Sequence, residues 1–113
     1  MHEYSVARSL MSTIEASAAE HHASSVQRVH LRIGEHAGIE VDLLKSAFTL
    51  VRERTICSEA DLEVVISPAE WQCSFCGQVI PRGTRLQCSE CDVPARMISG
   101  DEIMLERLEM EVG

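Results

Sequence analysis

The sequence predicts an α+β fold in which two helices pack on a three-stranded sheet and a small cysteine-rich domain is inserted before the last strand. Three observations carry this reading. Between residues 5 and 67 the apolar residues recur with helical spacing, then alternate, then repeat both patterns once more. Regular periodicity then stops, and residues 70–97 hold four of the five cysteines, the only Trp and two of the three prolines. Alternation returns in the tail. The expected division is a main domain of residues 1–69 and 99–113 and an inserted domain of residues 70–98.

Residues 5–22, "SVARSLMSTIEASAAEHH", read as a helix with Val6, Leu10, Ile14 and Ala18 on one stripe, Ala7 and Met11 beside it, and Ser5 as N-cap. Residues 26–33, "VQRVHLRI", read as a half-buried strand: Val29, Leu31 and Ile33 face one way, His30 and Arg32 the other. Glycines punctuate the loop "GEHAG". Residues 41–54 return to helical spacing through Leu44, Ala47, Phe48 and Val51, and residues 61–67 alternate through Leu62, Val64 and Ile66 before Pro68 ends the run. In the tail, Ile103 and Leu105 alternate and the phase then slips to Leu108 and Met110, which suggests a third strand with a bulge near Glu106 or Arg107. A helix through Met104, Leu108 and Glu111 is the competing reading.

Composition narrows the function. A formal charge of −8 and a pI near 5.0, with the ten Lys and Arg scattered, disfavour nucleic acid and favour a cation or a basic protein surface as partner. No apolar run approaches the ~20 residues of a membrane span. The N-terminus lacks the basic patch and unbroken apolar stretch of a secretory signal. The chain therefore reads as cytoplasmic, with no membrane partner, and in a reducing compartment its five cysteines point to metal or free thiol rather than disulfides.

"CSFCG" and "CSECD" place Cys73, Cys76, Cys88 and Cys91 as two CxxC pairs separated by eleven residues. Each CxxC turn aims two thiolates at one centre, and a hairpin brings two such turns together. The expected product is a zinc-ribbon-like domain whose tetrahedral four-thiolate site, with metal–sulfur distances of ~2.3 Å, suits Zn(II). Four protein ligands leave no open position, so the zinc is structural. Iron in a rubredoxin-like site is the alternative ion. Four thiolates against one divalent cation add two further negative charges to the formal −8. Cys57, outside the pairs, reads as a small buried hydrophobe.

The chain begins "MHE". A terminal amine with a pKa of ~7.7–8.0 is readily freed near neutral pH. The His2 amide and imidazole follow, closing five- and six-membered chelate rings, and Glu3 adds a further amide nitrogen and a carboxylate. Such nitrogen donors favour a square-planar Ni(II) or Cu(II) ion. A bulky second residue also preserves Met1. A solvated terminal His is the plainer reading of His2 by itself.

"MHEYSVARSL", "LRIGEHAGIE", the paired CxxC turns and "SGDEIMLERLEMEV", in that order and across essentially the whole chain, closely resemble the HypA family of hydrogenase nickel-incorporation proteins. The resemblance implies a metallochaperone that brings Ni(II) to the large subunit of nickel–iron hydrogenase, and a nickel-binding domain of two helices and three strands with a zinc domain inserted. It implies a nickel site beginning at His2, with Glu3 beside it, to which the residues' own chemistry adds the Met1 amine, and zinc held by Cys73, Cys76, Cys88 and Cys91. It also implies a GTPase partner, which fits the absence of a GxxxxGK[ST] loop here. The exposed part of the first helix, around Arg8 and Ser12, is the expected docking region for it.

Some family members carry a His next to the knuckles, whereas Gly77 and Asp92 stand there in this chain. Glu40, in the loop after the first strand, is a candidate auxiliary nickel ligand, with a solvated loop acid as the plainer reading. His21 and His22 end the first helix and suit its dipole. His30 reads as solvated on the outer face of its strand, and His36 is a candidate second nickel donor. The alternative function is a zinc-ribbon interaction module without specific nickel binding. An enzyme is disfavoured, because the sequence offers no nucleophile–base arrangement and no open metal site with a positioned base.

Overall fold

Amphipathic spacing places Ala7, Leu10, Met11, Ile14 and Ala18 on the buried side of α1 (His2–Glu20) in the computed structural model, which describes residues 2–112. The helix begins three residues before Ser5, so Ser5 lies inside it and is not its N-cap. Glu3 accounts for the earlier start, because a carboxylate in the first turn favours the positive end of the helix dipole. At the other end the His21 ring meets the Ser17 carbonyl at 2.9 Å, and His22 turns left-handed at φ 56°. Both features terminate the helix.

β1 (Ala23–Gly34) buries Val26, Val29, Leu31 and Ile33. α2 (Val41–Val51) buries Leu44, Ala47 and Phe48, and Glu40 stands at its N-cap position without a side-chain capping bond. It stops three residues short of the expected end. The Thr55 hydroxyl donates to the Arg52 carbonyl at 2.6 Å, and Arg54 adopts φ 61°. β2 (Asp61–Ser67) follows, with Leu62 buried.

The tail is a strand, β6 (Ile103–Val112), and not a helix. Its burial phase slips where the sequence slips: Leu105 and Leu108 are half-buried and the two residues between them are exposed. The first sheet runs β2-β1-β6. Side chains bridge its strands, Arg32 to Glu106 at 2.8 Å, His30 to Glu109 at 2.5 Å and Gln27 to Glu111 at 3.0 Å. Residue numbers fall along β1 as they rise along β6, so the pair is antiparallel. His30 is on the outer face as expected, but it is half-buried and paired with Glu109 rather than simply solvated.

The cysteine-rich segment contains regular structure that its sequence does not advertise. β3 (Glu70–Cys73), β4 (Val79–Ile80) and β5 (Ala95–Ser99) form a second antiparallel sheet, ordered β4-β3-β5. Trp71 pairs with Ile80 on one side and Met97 on the other, and the β3–β5 register shifts between Glu70 and Trp71.

The chain divides into two compact units, Met1–Arg32, Ile39–Val65 and Met104–Gly113 in one and Ile33–Gly38 and Ile66–Ile103 in the other. In the second unit Gly34 packs directly on Gly100. A Cβ on Gly34 would come within 2.1 Å of the Gly100 carbonyl, so no larger residue fits. Glu35 there accepts the Ala69 N–H at 2.5 Å and is ion-paired with Arg82. These two donors, Arg82 foremost, pull its carboxyl down to about 2. Among the described residues no helix is long and apolar enough to cross a membrane.

Candidate functional site

The two CxxC turns have the same construction. In the first, the Cys73 N–H donates to the Gln78 carbonyl at 2.8 Å and the Gly77 N–H to the Cys73 carbonyl at 3.1 Å. In the second, Cys88 donates to Val93 at 2.9 Å and Asp92 to Cys88 at 2.9 Å. Each turn closes on a left-handed residue directly after its second cysteine, Gly77 at φ 78° and Asp92 at φ 54°. Glycine adopts that conformation without strain, whereas Asp92 is braced by a hydrogen bond from Gln87.

The turns aim their sulfurs inward. All four Sγ atoms of Cys73, Cys76, Cys88 and Cys91 lie within 4.8 Å of one another, and Cys76 Sγ is 3.9 Å from Cys88 Sγ. A tetrahedron with metal–sulfur bonds of ~2.3 Å has sulfur–sulfur edges of ~3.8 Å, so the arrangement fits a tetrahedral thiolate-bound ion. Cys73 Sγ accepts the N–H groups of Phe75 and Cys76, both at 3.3 Å, and Cys88 Sγ accepts that of Cys91 at 3.4 Å.

These donors stabilise negative sulfur. The Cys76 N–H, helped by that of Phe75, brings the Cys73 thiol down to about 6. The neighbouring Cys76 sulfur and burial push Cys91 up to about 12. Without a cation the four sulfurs cannot all be thiolates, and a divalent ion at their centre removes that conflict. Cys73 and Cys88 are buried together with Ile80, and Trp71, Val93 and Ala95 pack around them. Cys57 is fully buried elsewhere, as its sequence reading expects, and burial raises its thiol to about 11.

The chain's first turn is built differently. His2 is exposed at the first position of α1. The N–H groups of a helix's first turn have no intrahelical acceptor, so the His2 and Glu3 amides are not committed to the helix ladder. Glu3 is half-buried, and its Oε2 accepts the Glu40 N–H at 3.1 Å. That bond, followed by Glu3's own N–H, lowers its carboxyl.

Glu40 is thus brought to Glu3, but through its backbone, and its side chain is exposed. Among the described residues, the side chains of His2, Glu3 and Glu40 do not gather into a second cluster like that of the cysteines. The Met1 amine lies outside the described residues. His36 belongs to the other unit, where its ring meets Trp71 edge-on with centroids 6.3 Å apart.

Beside this turn, Tyr4, Arg8, Met11, Ser12 and Glu15 of α1 line a shallow groove of about 280 Å³ with Val51 and Thr55. The Arg8 guanidinium lies 6.0 Å from the centre of the Tyr4 ring. Sequence reasoning did not find the Glu3–Glu40 bond. Its donor is a backbone N–H, which every residue but proline supplies.

Residues 1–110 match the family model described as "Hydrogenase/urease nickel incorporation, metallochaperone, hypA". The hydrogenase maturation factor HypA of Dehalococcoides mccartyi is 39% identical over 113 residues, covering 98% of this chain and 95% of that protein. The factor of the same name from Aquifex aeolicus is 35% identical, covering 99% of each chain. Among solved structures, the solution structure of the Ni metallochaperone HypA from Helicobacter pylori is 31% identical with a TM-score of 0.78, covering 98% of each chain. A second, titled solution structure of HypA protein, is 32% identical with a TM-score of 0.83 and covers all of this chain and 98% of that one. The match extends through both cysteine pairs and the first turn alike. The chain belongs to the HypA family of nickel-incorporation metallochaperones for hydrogenase maturation, a family of maturation factors and not of enzymes.

Proposed function

We propose that this chain binds Ni(II) at its N-terminus and delivers it to the large subunit of nickel–iron hydrogenase during maturation. The donors are the Met1 amine, the amide nitrogens of His2 and Glu3 and the His2 imidazole; the exposed Glu40 side chain is left out of the set, because Glu40 meets Glu3 through its backbone N–H. Cys73, Cys76, Cys88 and Cys91 hold structural Zn(II). The working division is a nickel-binding domain of residues 1–69 and 99–113, interrupted by a zinc domain of residues 70–98.

The single observation that carries the reading is the family match beginning at residue 1, on a chain whose His2 is exposed. An internal His has no free amine and cannot build the same chelate. An exposed chain end can also give up donors one at a time, which suits transfer. A GTPase partner acting in the cytoplasm docks on α1, and the groove at Arg8 and Ser12 supports that placement. A cross-linking map confined to the zinc domain would speak against it.

Each amine and amide donor must lose its proton, so nickel affinity falls as the pH drops below neutral. Adding one residue before Met1 tests the reading directly. It displaces the amine and leaves the fold alone, so specific nickel binding should be lost while zinc content is kept. Undiminished nickel affinity in the extended chain would favour a zinc-ribbon interaction module instead.

A further inference from the structure

We infer that the Glu3 side chain is a positioning residue that fixes the nickel-binding turn against the N-terminus of α2. The inference rests on the N-terminal nickel reading above.

Glu3 and Glu40 are 37 residues apart in sequence, yet Glu3 Oε2 accepts the Glu40 N–H at 3.1 Å. Glu40 is the N-cap of α2. Its side chain makes no capping hydrogen bond, and its carbonyl accepts the Leu44 N–H at 2.9 Å. One charge-assisted bond thus joins the first turns of both helices, at the helix end whose dipole favours a negative partner.

The Glu3 side chain and the Glu3 amide leave the same Cα. Anchoring the carboxylate therefore anchors the nitrogen that a chelating metal must reach. A chain end otherwise frays, and ordering it has to accompany metal capture. A turn already held in place lowers that ordering cost. The second unit does not enter this device, because both partners lie in the first.

The experiment uses the full chain, with Ni(II) as the probe. Glu3→Ala removes the acceptor. Glu40→Pro removes the donor, and Glu40's φ of −83° is within reach of the proline ring. Each should weaken Ni(II) binding about tenfold, and the double variant no further, because both delete one bond. The nickel absorption spectrum should keep its band positions, and Glu3→Gln, which retains a side-chain oxygen, should recover most of the loss.

In the nickel-free protein, hydrogen exchange at the Glu40 amide should accelerate in Glu3→Ala. That readout stands even if Glu40→Pro folds poorly. Wild-type affinity in Glu40→Pro, or unchanged exchange at Glu40 in Glu3→Ala, would overturn the inference. So would a shifted spectrum with no recovery in Glu3→Gln, which would make the carboxylate a ligand. Full nickel affinity in His2→Ala would remove the N-terminal reading itself, and the inference with it.

Discussion

The four-cysteine site and the first turn, proposed to take nickel, are built in opposite ways. Cys73 and Cys88 are buried, each turn is closed by two backbone hydrogen bonds, and backbone N–H groups point at the sulfurs before any ion is considered. His2 is exposed, and beside it the Glu3 carboxylate accepts the Glu40 N–H at 3.1 Å. A closed set of four protein ligands retains its ion, because no donor can leave without breaking the local fold. A chain end can open one donor at a time. On the proposed reading, the difference separates an ion that belongs to the structure from an ion that is cargo.

The largest effect should come from breaking the first site. Cys73→Ala removes one thiolate and should release the zinc, whose binding to small domains is worth on the order of 10 kcal/mol of folding energy. Hydrogen exchange should then become fast across residues 70–97. The amides of α1 and α2 should stay protected, since those helices bury Ile14, Leu44 and Phe48 in the other unit. Equal loss of protection in both units would show that the two regions do not stand separately.

A smaller effect tests how the cysteine turns are made. Gly77→Ala meets no atom within 4 Å of the new Cβ, so its cost is the left-handed backbone alone. About 1–2 kcal/mol is expected, read as a lower melting temperature of the zinc-loaded protein. Asp92→Gly relieves similar strain in the matching turn but loses the Gln87 bond, so its net effect should be close to zero. A substantial loss in Asp92→Gly would mean that the Gln87 bond outweighs the strain.

A third effect, read against pH, bears on the unit that carries the first turn. His30 foremost, then Arg28 and Arg107, hold the Glu109 carboxyl below its ordinary value of 4.5. A carboxylate lowered in the folded state stabilises it above the unfolded pKa, and that contribution fades as the pH falls through the folded value. Protection of the β6 amides should therefore decline below about pH 4.5 in the wild type. In Glu109→Gln it should be lower at neutral pH and change less in acid. Parallel pH profiles in the two proteins would remove Glu109 from the account.

The two regions also differed in how readable they were. The cysteine site was legible because CxxC spacing fixes ligand geometry within a turn, and the sulfurs meet where the spacing places them. The strands around it were not. β4 has two residues, β3 has four, and the small core they share is made largely of the cysteines themselves, so no apolar period develops. The helices and β1 were legible from long amphipathic stretches; β2 was less so, because Val64 is half-buried, Ile66 is exposed and Ser67 is buried. The helix ends were also less so: Glu3 draws α1 back to His2, and Arg54 and Thr55 stop α2 early.

The decisive measurement is a nickel titration of His2→Ala, with zinc content and helicity read on the same sample. Specific Ni(II) binding should disappear, one zinc should remain per chain, and the helical signal should be unchanged. Retention of wild-type nickel affinity by His2→Ala, with zinc and fold intact, would contradict it.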